Sequence, residues 1–230
     1  PETFPTCEFW RGNLGGRFGT TLKLAGWDGV VVEGKAERPV WINIINDQVK
    51  IEDAKELWGL DTWSTQDRIT AMVGGRTRFG EEWQEIGSTY TTARPQIVYI
   101  GPVGETKSRL AALISGSGIS ARIGGHAAVF GAKNLKAISV TGTGSVQVSD
   151  PKGVLDARLR HMQTNQTGAI RFASGPGAAS CMPCLRGDRR RSNYNGGETM
   201  CACQGWLSGG KTPGAADLAA EALIKYGLSS

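Results

Sequence analysis

Glycine is concentrated in a few short stretches of this chain, and that concentration limits the fold more than any other feature. The 230 residues include 33 glycines, about twice the share of an average globular protein. Residues 15–19 hold three of them, and residues 115–131 hold five. Because glycine lacks a Cβ atom, such clusters favour tight turns and close approach of the backbone to a ligand over flexible linkers.

Apolar residues outside the glycine stretches follow patterns typical of short β-strands. The predicted strands over 29–34, 39–45 and 49–51 form a meander with a turn at 46–47, and the strand over 136–140 is predicted to be buried on both faces. Good helix formers over 53–73 predict one or two helices, with Thr62 and Ser64 as capping candidates. The predicted strands cover residues 29–34, 39–45, 49–51, 97–101 and 136–140.

The composition changes from strands to helices near residue 150. Asp150 and Pro151 are typical of a helix start, and a second start at 212–213 leads to a helix that closes at Gly227. The sequence therefore predicts an α+β fold. A strand-rich domain is expected over residues 1–148, followed by part of a helical domain over 149–230.

The net charge of +5 is unevenly distributed. Eight Lys or Arg residues and only two acidic residues lie between 152 and 191, which predicts a basic surface for acidic proteins or phosphates, or else a solvated charged face. The arginine run at 186–191 contains no aromatic residue, so nucleic acid is not an expected partner.

No apolar run is long enough to span a bilayer and the first residues do not resemble a signal peptide, so a soluble, cytoplasmic protein is expected. The chain lacks an initiator methionine. We therefore expect either a processed start or a piece of a longer chain.

Four of the five cysteines lie within 23 positions, and Cys7 stands apart. A disulfide framework would spread and pair its cysteines, so this distribution favours a metal site. Cys181-Met182-Pro183-Cys184 forms a C-x-x-C loop in which two thiolates can bind neighbouring sites of an iron–sulfur cluster or one zinc ion. Cys201 and Cys203 follow, and Cys7 is expected to be a buried or free thiol.

The glycine stretches lie within longer sequence words that are more specific than glycine spacing. Gly15-Gly16-Arg17-Phe18-Gly19 continues to Ala25-Gly26-Trp27-Asp28, and Val32-Glu33-Gly34-Lys35 follows. The N-terminal domain of the aldehyde:ferredoxin oxidoreductases is similar. The match runs in order from about Asn13 to Val140 and includes Leu57-Trp58-Gly59, Ile100-Gly101-Pro102-Val103-Gly104-Glu105 and Arg122-Ile123-Gly124-Gly125.

The resemblance implies a strand-rich base on which a tungsten bis-pterin (molybdopterin) cofactor lies. It implies that six residues contact the pterin through backbone amides, an asparagine amide and a guanidinium suited to phosphate. The alternative is that these residues only form tight turns beneath a β-rich core. The six residues are Asn13, Gly15, Gly16, Arg122, Gly124 and Gly125.

The resemblance also implies a [4Fe-4S] cluster on Cys181 and Cys184. The related enzymes have a third cysteine four positions after the second and a fourth far downstream, whereas this chain has Asp188 at the third position. Three alternatives follow: Asp188 ligates iron through its carboxylate, Cys201 or Cys203 is the third ligand, or the cluster is absent. A zinc site of four cysteines remains the alternative from the residues themselves.

The resemblance implies an oxidoreductase that converts an aldehyde to a carboxylic acid. Its electrons would pass to ferredoxin or another Fe–S subunit. The altered cysteine spacing and the arginine run make an aromatic acyl-CoA reductase of the benzoyl-CoA type the runner-up. A non-catalytic Fe–S scaffold subunit and a zinc-stabilised basic module are further alternatives. No catalytic residue is assigned, and the small-molecule substrate pocket and the rest of the catalytic subunit are expected outside this chain, in an oligomer.

Overall fold

A computed structural model provides the structure of the chain. It describes residues 12, 14–74, 81–116, 119–121, 125–166, 178–179, 189–191, 198–199 and 215–228. The strands are β1 Val40–Ile45, β2 Gln48–Asp53, β3 Gln84–Ile86, β4 Thr89–Thr91, β5 Gln96–Tyr99, β6 Leu113–Ser115, β7 Ile119–Ala121, β8 Leu135–Thr141, β9 Ala178–Ala179, β10 Arg189–Arg191 and β11 Glu198–Thr199. The helices are α1 Phe18–Leu24, α2 Thr62–Gly74, α3 Pro102–Glu105, α4 His126–Ala132, α5 Pro151–Gln166 and α6 Ala215–Tyr226.

A six-stranded mixed sheet in the order β2-β1-β8-β5-β6-β7 is the centre of the fold. Strand β8 runs parallel to β1 and antiparallel to β5, and every residue of β8 is buried. The prediction of a strand buried on both faces is therefore confirmed. Such burial follows from the position of β8 inside the sheet, where elements pack on both sides.

Alternate residues of β1 and β8 face opposite sides of the sheet. On one side, Trp41 and Ala137 pack with Tyr99 of β5 and with Ile69 of α2. On the other side, Ile44, Ile138 and Val140 pack with Leu22 of α1. The sheet thus carries α2 on one face and α1 on the other.

The register of β1 against β8 contains a bulge. Val40 pairs with Leu135 and the next residue, Trp41, pairs with Ala137, so Lys136 is the additional residue in β8. A bulge re-aims the side chain that it inserts. Here the Lys136 side chain turns inward, toward the segment before α2 and toward α3.

The predicted meander is only partly correct. The hairpin of β1 and β2, with its turn at Asn46-Asp47, is confirmed, with Asn46 at φ 51°. The strand predicted over 29–34 is wrong, because that segment has no strand pairing and the Val31 side chain is 84% exposed. Of its three valines, only Val32 packs, against the same cluster as Leu22.

Helices are present where they were predicted, but Thr62 and Ser64 lie inside α2 and are not its cap, and the predicted start of the last helix at 212–213 lies outside the described residues. Helix α2 covers most of the predicted stretch, but its first turn is capped by Asp61, whose Oδ1 accepts a hydrogen bond from the Ser64 amide at 2.9 Å. The Asp150 cap of α5 is confirmed, since its Oδ1 accepts from the Gly153 amide at 2.9 Å. Gly227, which closes α6, has φ 75°.

Helix α6 packs against the sheet-bearing part of the chain. The Ile224 carbonyl accepts a hydrogen bond from the Thr62 hydroxyl at 2.9 Å, and the Gly227 carbonyl accepts from the Ala112 amide at 2.9 Å. A Cβ atom at Gly101 would lie 2.4 Å from the Tyr226 carbonyl oxygen. Only a glycine at this position allows α6 to approach so closely.

Strand β10, which consists of three arginines, pairs antiparallel with both β9 and β11. The basic run of the sequence therefore contributes backbone to a small three-stranded sheet. None of the helices in the described part of the chain is both long and apolar enough to cross a membrane.

Candidate functional site

The loop at Gly15 and Gly16 leads directly into α1. Gly16 has φ 86°, a backbone conformation that side-chain-bearing residues rarely adopt, and both glycines are partly buried. Arg17 then occupies the N-cap position of α1 without a side-chain hydrogen bond, and Leu22 fixes the helix to the core beneath it. The sequence folds this way locally because glycine allows the turn and the following apolar residues anchor it.

A second glycine, Gly125, has the same role before α4. Its φ is 61°, it is buried, and a Cβ atom there would lie 3.1 Å from the Arg109 carbonyl oxygen. The position therefore requires glycine for both conformation and space. The neighbouring group that approaches the Gly125 backbone closely is the backbone of Arg109.

One apolar cluster supports both of these loops. Phe18 and Leu22 of α1 belong to it, and so does Phe130 of α4, which also packs against Ile100 and Ala127. The two glycine turns thus precede helices that are anchored on a shared cluster.

Helix α4 is held from its other side by α3. A Cβ atom at Gly131 would lie 2.0 Å from the Gly104 carbonyl oxygen, so the two helices meet backbone to backbone. A Cβ atom at Gly104 would in turn lie 2.8 Å from Cβ of Ile100. Helix α4, and with it Gly125, therefore has little freedom to shift.

The Lys136 side chain forms a buried ion pair with Glu105 of α3. Its ammonium also donates to the Leu60 carbonyl at 2.9 Å, and the Glu105 carboxylate accepts from the Gly59 amide at 2.9 and 3.0 Å. Burial lowers the pKa of Lys136, while the hydrogen bond and the charge of Glu105 act in the opposite direction. The network ties the start of α2, α3 and β8 together.

Tyr99 performs a similar task on the turn after β6. Its buried hydroxyl faces two acceptors, the Gly116 carbonyl oxygen at 2.6 Å and Gln66 Oε1 at 3.1 Å. Burial, with a smaller contribution from the charges of Asp67 and Asp61, raises the pKa of Tyr99 above its ordinary range. The hydroxyl is therefore a neutral, fixed donor.

The predicted site residues divide into two groups. Gly15, Gly16 and Gly125 are described, and each lies in a loop that precedes a helix. Among the residues that the structure does describe, no group of three or more His, Cys, Asp or Glu side chains is placed to hold a metal ion. The other predicted residues lie outside the described ranges: Asn13, Arg122, Gly124, Cys7, Cys181, Cys184, Asp188, Cys201 and Cys203.

The sequence interpretation missed the buried polar groups that hold the loops in place. A lysine inside a strand predicted to be buried could have indicated that Lys136 has a buried partner. A tyrosine in a buried strand gave a weaker signal for Tyr99, because a tyrosine there more often only fills the core. Neither residue has a partner near it in sequence, so the contacts themselves were not predictable.

The chain matches the family model "Aldehyde ferredoxin oxidoreductase, N-terminal domain" over residues 5–142. It is 41% identical over 138 residues to a tungsten-containing aldehyde ferredoxin oxidoreductase of Pyrococcus horikoshii, covering 60% of this chain and 20% of that protein. It is 37% identical over 147 residues to the "Aliphatic sulfonate oxidoreductase, WOR-like subunit" of Pyrococcus furiosus, covering 64% of this chain and 23% of that protein. The chain thus spans about a fifth of the length of these relatives.

A solved structure with a similar fold is the active-site complex BamBC of benzoyl coenzyme A reductase, in complex with 1,5-dienoyl-CoA. The TM-score is 0.73 at 21% sequence identity, and the match covers 95% of this chain and 40% of that one. At this identity the likeness establishes the fold alone. The family model, by contrast, covers more than half of the chain, and the chain accordingly belongs to the aldehyde ferredoxin oxidoreductase family, of which it carries the N-terminal domain.

Proposed function

We propose that this chain forms the pterin-contacting base of a tungsten-pterin oxidoreductase that oxidises an aldehyde to a carboxylic acid. One observation carries the proposal: two glycine turns of left-handed conformation, at Gly16 and Gly125, precede helices anchored on one apolar cluster. The 40–41% identical relatives are tungsten-containing aldehyde ferredoxin oxidoreductases, which supports the choice of metal.

The conformations of two glycines support a pterin contact in this part of the chain. Gly16 and Gly125 both have positive φ angles, which supports tight turns in which the backbone amides are available to a ligand. In the proposal the cofactor is held by Asn13, Gly15, Gly16, Arg122, Gly124 and Gly125. Bound there, a tungsten bis-pterin supplies oxygen-transfer and two-electron chemistry.

The protein's own contribution at this base is to hold the loops without movement. The buried network of Lys136 and Glu105 fixes α3, and the Gly104–Gly131 contact transfers that rigidity to α4. A rigid loop loses little conformational freedom when it binds a cofactor, which favours tight binding. Arg122, directly after β7, would neutralise a pterin phosphate with a bidentate guanidinium.

A [4Fe-4S] cluster on Cys181 and Cys184 completes the proposal and would pass electrons singly to ferredoxin or another Fe–S subunit. Its third protein ligand would be Asp188, Cys201 or Cys203. Since the chain spans about a fifth of its curated relatives, the substrate pocket and the other subunits or segments are part of the proposal as well.

A second candidate is an aromatic acyl-CoA reductase subunit of the same family. The fold likeness to a benzoyl-CoA reductase complex over 95% of this chain favours it, and so does the arginine run at 186–191 of the sequence, a composition that suits CoA phosphates. A non-catalytic Fe–S scaffold that keeps the fold without the pterin is the third.

Metal analysis and an EPR spectrum of the reduced, natively purified protein test the proposal. Tungsten together with iron supports an enzyme, iron without tungsten supports the scaffold, and zinc alone contradicts both. Aldehyde-dependent against acyl-CoA-dependent electron transfer then separates the two enzymes.

Arg122→Ala addresses the pterin contact directly. We expect it to lower pterin and tungsten content while the iron content stays at the wild-type level. The matched control is Arg38→Ala, at an exposed arginine whose guanidinium lies 3.6 Å from Asp53, and it should retain both metals. Equal loss of tungsten and iron in Arg122→Ala would assign that residue a structural role instead.

A further inference from the structure

Strand β2 forms one edge of the six-stranded sheet. Among the described strands it pairs with β1 alone, and all of its residues except Glu52 are exposed. Its register with β1 is continuous and its sequence contains no proline, so β2 has neither the bulge nor the proline with which many proteins block an edge strand. The outer edge of β2 is therefore open to pairing with another strand.

The hydrogen bonds of β1 show which backbone groups of β2 lie at this open edge. The Val40 amide of β1 donates to the Asn134 carbonyl, directly before β8, at 2.9 Å, so the even-numbered residues of β1 bond toward β8. Because the bonding direction alternates along a strand, the odd-numbered residues of β1 bond toward β2, and their partners in β2 are even-numbered. The amides and carbonyls of Val49, Ile51 and Asp53 therefore point away from β1, into the open edge.

The side chains of β2 differ between the two faces of the sheet. Val49 and Ile51 lie on the α1 side, because their partners in β1 belong to the apolar cluster of α1, and they are 51% and 72% exposed. Lys50 and Glu52 lie on the α2 side, where Trp41, the partner of Glu52, packs with α2. The edge thus presents an apolar row on one face and two opposite charges on the other.

The backbone and the charges together select one way for two copies of β2 to pair. An antiparallel pair with a twofold axis must oppose open backbone groups of both strands, which allows registers centred on Lys50, Ile51 or Glu52. The registers centred on Lys50 and on Glu52 place like charges directly opposite each other, which is destabilising. The register centred on Ile51 places Lys50 of each copy opposite Glu52 of the other, in a pair without backbone hydrogen bonds, where side chains approach most closely.

We infer that a second copy of this chain pairs with β2 in the register centred on Ile51 and joins two six-stranded sheets into one continuous sheet. The self-complementary charges of the strand favour a second copy over an unrelated strand. One strand pair buries less area than a standard interface, so the dimer should depend on protein concentration. The inference does not rest on the proposed function, because β2 contains none of the residues assigned to the pterin or to the cluster.

Disulfide cross-linking of the natively purified, cofactor-loaded protein tests the register. Ile51→Cys would place two thiols opposite each other at a Cα–Cα distance of about 5.5 Å, which suits a disulfide. Oxidised glutathione under anaerobic conditions should link most of this variant into dimers on a non-reducing gel. The wild-type protein measures the contribution of its own cysteines.

Val49→Cys is the matched control, on the same strand and the same face. In the inferred register Val49 lies opposite Asp53 of the second copy, so the two new thiols would be about 14 Å apart, too far for a disulfide. This variant should give no more dimer than the wild type. Both residues are exposed, so their replacement should leave the fold intact, which circular dichroism verifies.

The charge pair is tested in the Ile51→Cys background. Lys50→Glu would oppose like charges twice across the interface and should lower the rate of cross-linking about tenfold. Addition of Glu52→Lys restores opposite charges and should return the rate to within about twofold of Ile51→Cys alone. Lys35→Glu makes the same change of net charge at an exposed lysine outside β2 and should leave the rate within about twofold.

Three results would overturn the inference. Absence of the Ile51→Cys dimer, as expected if another segment of the full-length protein covers β2, would exclude a second copy as the occupant. Equal cross-linking of Val49→Cys and Ile51→Cys would exclude the register. A failure of Glu52→Lys to restore cross-linking in the Lys50→Glu variant would exclude the charge pair that selects it.

Discussion

Lys136 and Glu105 form an ion pair inside the protein, with the lysine side chain fully buried and the glutamate side chain 7% exposed. Each partner has a further hydrogen bond to the backbone of the segment before α2, at Leu60 and at Gly59. A buried pair satisfied in this way resists the removal of either member, because the remaining charge would be left without compensation.

Glu105→Gln should lower the free energy of unfolding by about 3–5 kcal/mol at neutral pH, since it leaves the Lys136 ammonium buried without a counter-charge. Chemical denaturation measures the change. The control is Asp156→Asn, whose carboxylate pairs with Lys152 on the exposed surface of α5 at 2.7 Å and should contribute at most about 1 kcal/mol.

The loss in Glu105→Gln should become smaller in alkaline solution. Burial lowers the pKa of Lys136 in the folded state, so the unfolded chain binds more protons below the ordinary lysine pKa and the free energy of unfolding rises with pH there. Glu105 opposes this lowering in the wild-type protein, so Glu105→Gln should lower the pKa further, and the free energy of unfolding of the variant should rise with pH more than that of the wild type. A loss no larger than that of Asp156→Asn, or one that grows with pH, would contradict this account of the pair.

Tyr99→Phe should make the stability of the protein less sensitive to alkaline pH. The pKa of Tyr99 is raised, so its contribution is complete below the ordinary tyrosine pKa of about 10 and is lost above it, where only the unfolded chain ionises. Between pH 10 and 11 the wild-type free energy of unfolding should fall by up to about 1.4 kcal/mol more than that of the variant. Tyr90→Phe, at a tyrosine that is 60% exposed, should keep the wild-type slope.

Gly131→Ala should destabilise the protein by several kcal/mol, since the new methyl group would lie 2.0 Å from the Gly104 carbonyl oxygen and force α3 and α4 apart. Thermal and chemical unfolding measure the effect.

Gly19→Ala is the matched control, because a Cβ atom there has nothing within 4 Å among its described neighbours and the residue is in α1. It should stabilise the protein by roughly 0.5–1 kcal/mol through the higher helix propensity of alanine. Similar effects of the two substitutions would mean that α3 and α4 are not in backbone contact.

Cys184→Ser should remove most of the iron from the protein, because a serine hydroxyl is a poor substitute for a thiolate in an iron–sulfur cluster. Iron analysis per chain and the EPR spectrum of the reduced protein are the measurements. Cys7→Ser is the control and should retain iron, and unchanged iron in Cys184→Ser would rule out the proposed cluster position.

The sequence predicted those parts of the fold whose cause is local. The Asn46-Asp47 turn, the cap at Asp150 and the glycine after α6 were predictable because each depends on residues within a few positions. The run of valines at 30–32 was misleading, because a strand also needs a neighbour to pair with, and no local pattern reveals whether one is present.

The candidate site was predictable only where the family words contain its residues. Gly15, Gly16 and Gly125 were named from those words, and the structure adds the positive φ angles of Gly16 and Gly125. The sequence could not predict that Arg17 and Arg94 line one cleft beside α1. The two residues are 77 positions apart, and only the packing of α1 against the sheet brings them together. The bulge that turns Lys136 inward was hidden for the same reason.

The packing of α6 has a consequence for the part of the chain between α5 and α6. Residues 167–214 leave the end of α5 and lead into α6, which is held by the Thr62 hydroxyl, the Ala112 amide and the close approach at Gly101. If a protease cut the chain once in this interval, the two fragments would remain associated without a covalent bond. The cysteines at 181–203 thus lie in an interval whose flanking parts are joined by non-covalent contacts as well as by the chain, and separate expression of the two pieces should reconstitute the complex.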